Sequence, residues 1–209
     1  MNKELSLIKR ADMEQLCMLY VKQNVTEKLT MAEFQQFLSL AYTLQLNPLK
    51  REIYAVKYGS KFNILVGYQV YLSKTVQLGK LESYNIEIQD DAQGLPEKGT
   101  ITVKRTDQIQ PVKIDYKFKE WAMYDRTGKL QSLWATKPTF MFRKTILATA
   151  FREVFPEILG SMPYTNEELW YQNQANEAAI KANIEEEEAA IKANIEEEEG
   201  AANETENGN

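Results

Sequence analysis

The chain has 209 residues, 44% of them hydrophobic, enough for one ordinary core with an appendage. Its one cysteine, Cys17, excludes a disulfide framework within a chain and favours a cytosolic site; the lack of histidine excludes His-based acid–base chemistry and His metal ligation. The net charge of −5 averages two unlike parts: residues 1–164 hold 23 Lys+Arg and 17 Asp+Glu, a net of +6, and residues 165–209 hold 2 Lys and 13 Glu, a net of −11.

The expected organisation is therefore a basic body over 1–164 and an acidic tail over 165–209. No apolar run approaches the ~20 residues of a membrane span. The opening MNKELSLIKRADMEQ has no unbroken apolar stretch of the signal-peptide kind, so a cytoplasmic protein is expected.

Along the chain, residues 9–23 read as a helix with Met13, Leu16, Cys17 and Tyr20 on one stripe. Thr30 and Glu33 form a capping box, in which hydroxyl and carboxylate each satisfy a free backbone N–H. Phe34, Phe37, Leu38, Ala41 and Leu44 follow at helical spacing, and Asn47-Pro48 ends that helix because the residue before proline avoids the α region. Glu52–Tyr58 and Phe62–Val66 read as a hairpin turning at Gly59-Ser60. Gly67–Leu78 reads as a helix closed by Gly79, Ser83–Gln89 as a strand with Tyr84, Ile86 and Ile88 on one face, and Asp90–Gly99 as turn. Thr100–Arg105 and Val112–Phe118 are further strands, Asp125–Lys129 is a polar loop, and a long helix starts at Pro138 with Trp134 in the loop before it. The fold class is α+β, an antiparallel sheet flanked by helices.

A second capping box, Thr165 to Glu168, restarts helix in the tail. The sequence AAIKANIEEEE then occurs twice, at 178–188 and 189–199, placing Ile180, Ile184, Ile191 and Ile195 on one stripe if the segment is helical. An 11-residue period can support a slightly right-handed supercoil, but two copies with four adjacent glutamates each favour a solvated, partly disordered acidic tail.

The helix from Pro138 carries the densest chemistry. With Lys137 before it, it bears Arg143, Lys144 and Arg152 and no acid until Glu153. At ~100° per residue, Lys144, Thr145, Ala148, Thr149 and Arg152 share a face, and small or hydroxyl residues between cations let a phosphate backbone approach. The competing reading is an amphipathic helix with solvated cations. Other cations cluster at Lys50-Arg51, at Lys57 with Lys61 and at Arg126 with Lys129, with Tyr54, Tyr58, Tyr68, Trp121 and Trp134 interleaved. A basic groove with stacking aromatics is how single-strand binders work. Most of these rings are expected in the core, and Trp134 is the expected exception. Gly94 and Gly99 have the spacing of a phosphate-binding loop, but Thr100 stands where lysine is required. Asp90, Asp91 and Asp107 lie in turns, where acids are usually local caps.

LNPLKREIYAVKY (46–58), ILVGYQVYLSK (64–74) and WATKPTFMFRKTILATAFREVFP (134–156) together resemble the Red-beta/RecT superfamily of phage single-strand annealing proteins. That superfamily carries an N-P-x-x-x-E-I-Y segment, then a valine–glycine pair, and later a tryptophan, a proline about four residues on, a methionine, a basic pair and an arginine. Here these are Asn47-Pro48, Glu52-Ile53-Tyr54, Val66-Gly67, Trp134, Pro138, Met141, Arg143-Lys144 and Arg152, in order, within about residues 30–160. The resemblance implies an ATP-independent protein that binds single-stranded DNA, anneals complementary strands, holds the annealed duplex and assembles into rings or helical filaments. It implies that Arg51, Lys61, Arg126, Lys129, Lys144 and Arg152 lie near a DNA groove. A phage exonuclease or a host single-strand-binding protein is the partner it suggests, in the cytoplasm of a bacterial host. It implies no cofactor and leaves Mg²⁺ dependence open. The chain departs from the Red-beta branch at its C-terminus, where a short acidic repeat replaces a folded partner-binding domain. Two other classes stay open: a passive single-strand-binding protein, and a small nuclease using Asp90, Asp91 and Asp107 with a divalent metal.

Overall fold

A computed structural model describes residues 7–174, 176, 179, 180 and 182–185. It divides into two units, Met1–Glu168 and Leu169–Asn209. Among the described residues, 166–174, 176, 179, 180 and 182–185 are helical. The second copy of the repeat lies outside the described residues, as does much of the first.

The first unit opens with α1 (Arg10–Asn24) and α2 (Met31–Leu44). Met13, Cys17 and Tyr20 of α1 are buried with Phe37, Leu38 and Ala41 of α2, as their helical spacing requires. The Thr30–Glu33 capping box is formed, with Thr30 N–H donating to Glu33 Oε2 (2.6 Å) and Glu33 N–H to Thr30 Oγ1 (3.2 Å). Next come a single 3-10 turn at Pro48–Lys50, the hairpin β1 (Ile53–Tyr58) and β2 (Lys61–Val66), and α3 (Tyr68–Leu78), closed by Gly79 at φ 73°.

A meander of β3 (Leu81–Asp90), β4 (Pro96–Arg105) and β5 (Val112–Lys117) forms a second antiparallel sheet in the order β3-β4-β5. The antiparallel element is thus two sheets, a two-stranded and a three-stranded one. Short helices α4 (Phe118–Trp121) and α5 (Ser132–Thr136) lead to α6 (Pro138–Val154) and α7 (Pro156–Leu159). Ile86, Ile101 and Ile114 stand side by side across the sheet by register. Helix α6 covers that face. Gly99 is a strand residue rather than part of the expected turn, and the close packing depends on it: a Cβ there would overlap Ile146 Cδ1 and lie 2.9 Å from Phe142 Cε1.

Helix α6 is buried on most of its circumference, including Phe142, Ile146, Ala148, Ala150 and Phe151 at 0% exposure. It is the central helix of the core. At the far end of β4, buried Arg105 fastens the sheet to the α6–α7 corner. Its guanidinium donates to Asp107 (2.7 Å), Glu157 (2.6 Å) and Val154 O (2.5 Å) and lies 4.8 Å from the Phe155 ring centroid.

Candidate nucleic-acid interface

The segment Asn47–Glu52 closes on itself. Asn47 Oδ1 accepts from the N–H groups of Leu49 (2.9 Å) and Lys50 (3.3 Å), and Asn47 N–H donates to Glu52 Oε2 (2.7 Å). Pro48, at the first position of the turn, brings the φ that the turn needs. This is the physical content of the N-P-x-x-x-E pattern: a side-chain cap at one end, a carboxylate folding back from the other. The turn presents Lys50 and Arg51 to solvent. Arg51 is held in the left-handed region, at φ 58°, a conformation that costs of order 1–3 kcal/mol and clusters at functional sites.

Both cations line a groove of about 550 Å³ between this turn and α3. The α3 wall carries Gln69, Ser73 and Gln77 at four-residue spacing, with Lys74 beside them; Tyr54 also lines the groove. Lys74 Nζ donates to Leu44 O (3.0 Å), using one of its three N–H bonds and anchoring the ammonium at the groove wall. Three cations face one acid, Glu52, whose carboxylate is engaged by Asn47. Amide side chains and a tyrosine complete a surface suited to a phosphate backbone with bases attached. Sequence reasoning misses Lys74; the Gln69, Ser73, Gln77 stripe is the signal that points to it.

The nine residues expected at the interface fall into three groups. Arg51, Lys61, Arg126, Lys129, Lys137 and Arg143 are exposed. Of these, only Arg51 lines the groove. Arg126 and Lys129 sit together at the tip of a small hairpin closed by the Tyr124–Leu130 bridge, where Asp125 Oδ1 accepts from the N–H groups of Thr127 (2.8 Å) and Lys129 (3.0 Å). Lys61 is at the turn end of the β1–β2 hairpin, five residue steps or roughly 17 Å from the end next to Arg51. Lys137 lies between α5 and α6, and Arg143 Nη1 reaches Ile86 O at 3.4 Å.

Lys144 and Arg152 differ from the expectation of an open cationic face. Thr145 and Ala148, between them, are 1% and 0% exposed, so that face is packed inside. Lys144 Nζ pairs with Glu167 Oε1 (2.9 Å), and Arg152 Nε with Glu168 Oε1 (2.8 Å). Arg152 also donates to Leu159 O (2.7 Å), Met162 O (2.9 Å), Pro163 O (3.1 Å) and the Tyr71 hydroxyl, leaving no N–H for a phosphate. Its role is to hold the return of the chain after α7. The Thr165–Glu168 capping box is formed and buried, so Thr165, Glu167 and Glu168 pack with the basic body.

Trp134 is the clearest correction. It belongs to α5, is 1% exposed, and packs on Phe118 with ring centroids 5.8 Å apart. No face of the indole is open to a base, and its Nε1–H is buried without a hydrogen-bond partner among the described residues. One helical turn is too short to show a period, which is why this stretch reads as loop in the sequence.

Two of the three acids of the nuclease alternative, Asp91 and Asp107, are engaged elsewhere. Asp91 Oδ1 caps its own turn at Gln93 N and Leu95 N, both 2.9 Å, and Asp107 is bound to Arg105 and Lys80. Arg105 holds the Asp107 carboxyl well below the usual range.

The groove at the Asn47–Glu52 turn thus brings Lys50, Arg51 and Lys74 together on an α+β body followed by a strongly acidic C-terminal segment. The chain belongs to the RecT family, whose family model matches residues 11–191. That family comprises phage-associated DNA-recombination proteins that work by single-strand annealing. No curated protein matches the chain. No helix among the described residues is long and apolar enough to cross a membrane.

Proposed function

We propose that this chain binds single-stranded DNA by its phosphates and promotes annealing of complementary strands without nucleotide hydrolysis. The observation that carries the reading is the groove where Lys50, Arg51 and Lys74 converge beside Tyr54. Cations at the walls hold the backbone and leave base edges free to test pairing. Arg126, Lys129, Lys61, Lys137 and Arg143 are further exposed cations open to the same strand; Arg152 and Trp134 hold the fold from inside. Oligomerisation into a ring or filament would align many grooves along one strand, in the bacterial cytoplasm, beside a phage exonuclease or a host single-strand-binding protein.

The test uses two complementary labelled oligonucleotides, with and without Mg²⁺, followed for pairing rate and strand integrity. Faster pairing with intact strands is expected. Binding without acceleration would make the protein a passive coat, and shortened strands would make it a nuclease. Replacing Lys50 and Arg51 by glutamine should weaken binding to every sequence and flatten the log–log salt slope by about 0.7 for each phosphate no longer neutralised.

A further inference from the structure

The two ion pairs on α6 are unlike in how well they are satisfied. Glu168 is saturated: it accepts from Arg152 at both oxygens, from the Tyr71 hydroxyl (2.9 Å) and from Thr165 N–H (2.8 Å). Glu167 is not. Its Oε1 meets Lys144 Nζ at 2.9 Å, while its Oε2 is buried without a hydrogen-bond partner among the described residues. A buried carboxylate oxygen without a donor is a penalty that the fold carries only where something compensates it. Lys144 in turn has three N–H bonds and a half-open position above the Tyr68 ring, 5.8 Å from its centroid.

This poorly satisfied pair adjoins the groove. Gly67, just before Tyr68, is wedged against Arg51 O and the Tyr54 hydroxyl, where an added Cβ would lie 3.1 and 3.5 Å from them. The Tyr54 hydroxyl is pushed up mainly by burial, with the Arg51 charge opposing and the Glu167 charge adding to the shift. Tyr68, next in the chain to Gln69 of the groove wall, carries Lys144 over its ring, so Lys144 lies beside the groove rather than among its lining residues.

We propose that Glu167 is a built-in competitor for DNA phosphate. With the groove empty, its carboxylate neutralises Lys144. When a strand lies in the groove, a phosphate takes Lys144 over and Glu167 turns out to water, relieving the unsatisfied oxygen, while the Arg152–Glu168 staple keeps the helix start in place. The proposal rests on the phosphate-binding reading above.

Two measurements test it, both on the full chain. In the first, Glu167→Gln is compared with Glu153→Gln, which removes the same charge from an exposed position on α6. Glu167→Gln should bind oligo-dT tighter at low salt by roughly fivefold, the scale of one ion pair, and by more than Glu153→Gln. Equal gains would reduce Glu167 to background charge and overturn the proposal. In the second, unsubstituted protein is treated with a carbodiimide and an amine, with and without oligo-dT, and read by mass spectrometry. Labelling of Glu167 should rise on DNA binding while Glu168 stays protected. Glu167 protected in a demonstrated complex overturns the competitor but leaves the DNA-binding reading standing. Failure of the chain to bind oligo-dT at all removes both.

Discussion

Arg152 and Arg51 show how little residue type says about use. Arg152 has every donor turned inward, onto a carboxylate, a phenol and three carbonyls, and supports the chain's return over α6. Arg51 is presented to solvent by a turn closed on itself through Asn47 and Glu52. Substitution should separate them. Arg152→Ala strands Glu168 as a buried, unpaired charge, and urea unfolding should show a loss of about 3–5 kcal/mol. Arg51→Ala should leave the urea midpoint within error and lower affinity for single strands. Trp134→Ala should cost about 3–5 kcal/mol, as for other buried aromatics, and its annealing defect should vanish when rates are compared at equal folded fraction. A DNA defect that persists in well-folded Trp134→Ala protein would return the indole to the binding surface.

At the scale of elements, local signals are legible in the sequence and tertiary ones are not. Both capping boxes, the Gly59-Ser60 hairpin and the Gly79 stop form as the sequence indicates, because each is decided within about four residues. The faces of α6 mislead because Lys144, Thr145, Ala148, Thr149 and Arg152 have the spacing of a close-approach surface, and only packing reveals that the approaching group is the protein itself. Gly99 reads as turn because a glycine beneath a helix has no local signature. It makes a sharp test. Gly99→Ala should destabilise the fold by about 1–3 kcal/mol through overpacking against Ile146 and Phe142. Adding Ile146→Val, which removes the overlapping Cδ1, should recover part of that loss, so the double-mutant cycle shows coupling. Strict additivity in thermal melts would mean that helix and strand can shift apart.

For the molecule as a whole, charge acts in two separable places. The first is the cluster at the end of β4, where Lys80 and Arg105 meet Asp107 and Glu157. The Arg105 guanidinium lowers Glu157 from 4.5 to about 2 and lowers Asp107 further below its ordinary value. Depressed carboxylate pKa values stabilise the folded state fully above the unfolded value, so this contribution should be intact above about pH 4.5 and lost as pH falls toward 2. Both acids are partly solvated, so the effect should shrink in high salt. Circular dichroism against pH should show Asp107→Asn with Glu157→Gln responding less steeply than the parent across that window; parallel curves would place the acid sensitivity elsewhere.

The second place is the C-terminal segment, and here the boundary of the basic body matters. A chain ended after Tyr164 lacks Glu167 and Glu168, leaving Arg152, Lys144 and Tyr71 without their carboxylate partners. It should unfold at markedly lower urea, by the margin given for Arg152→Ala. A chain ended after Gln174 keeps both glutamates and removes 11 Glu and 2 Lys, a net of −9. Its melting temperature should match the full chain. Its affinity for single strands should be equal or higher at low salt, because the removed charge repels DNA over a Debye length of ~8–10 Å, and the two chains should converge as salt rises. The competing role for this segment is assembly, through the stripe that begins at Ile180 and Ile184, both exposed among the described residues. In that case the chain ended after Gln174 would sediment as a smaller species and anneal more slowly at every salt concentration. Sedimentation and annealing rates measured on the same preparation decide between charge and assembly, since only the charge effect fades with salt.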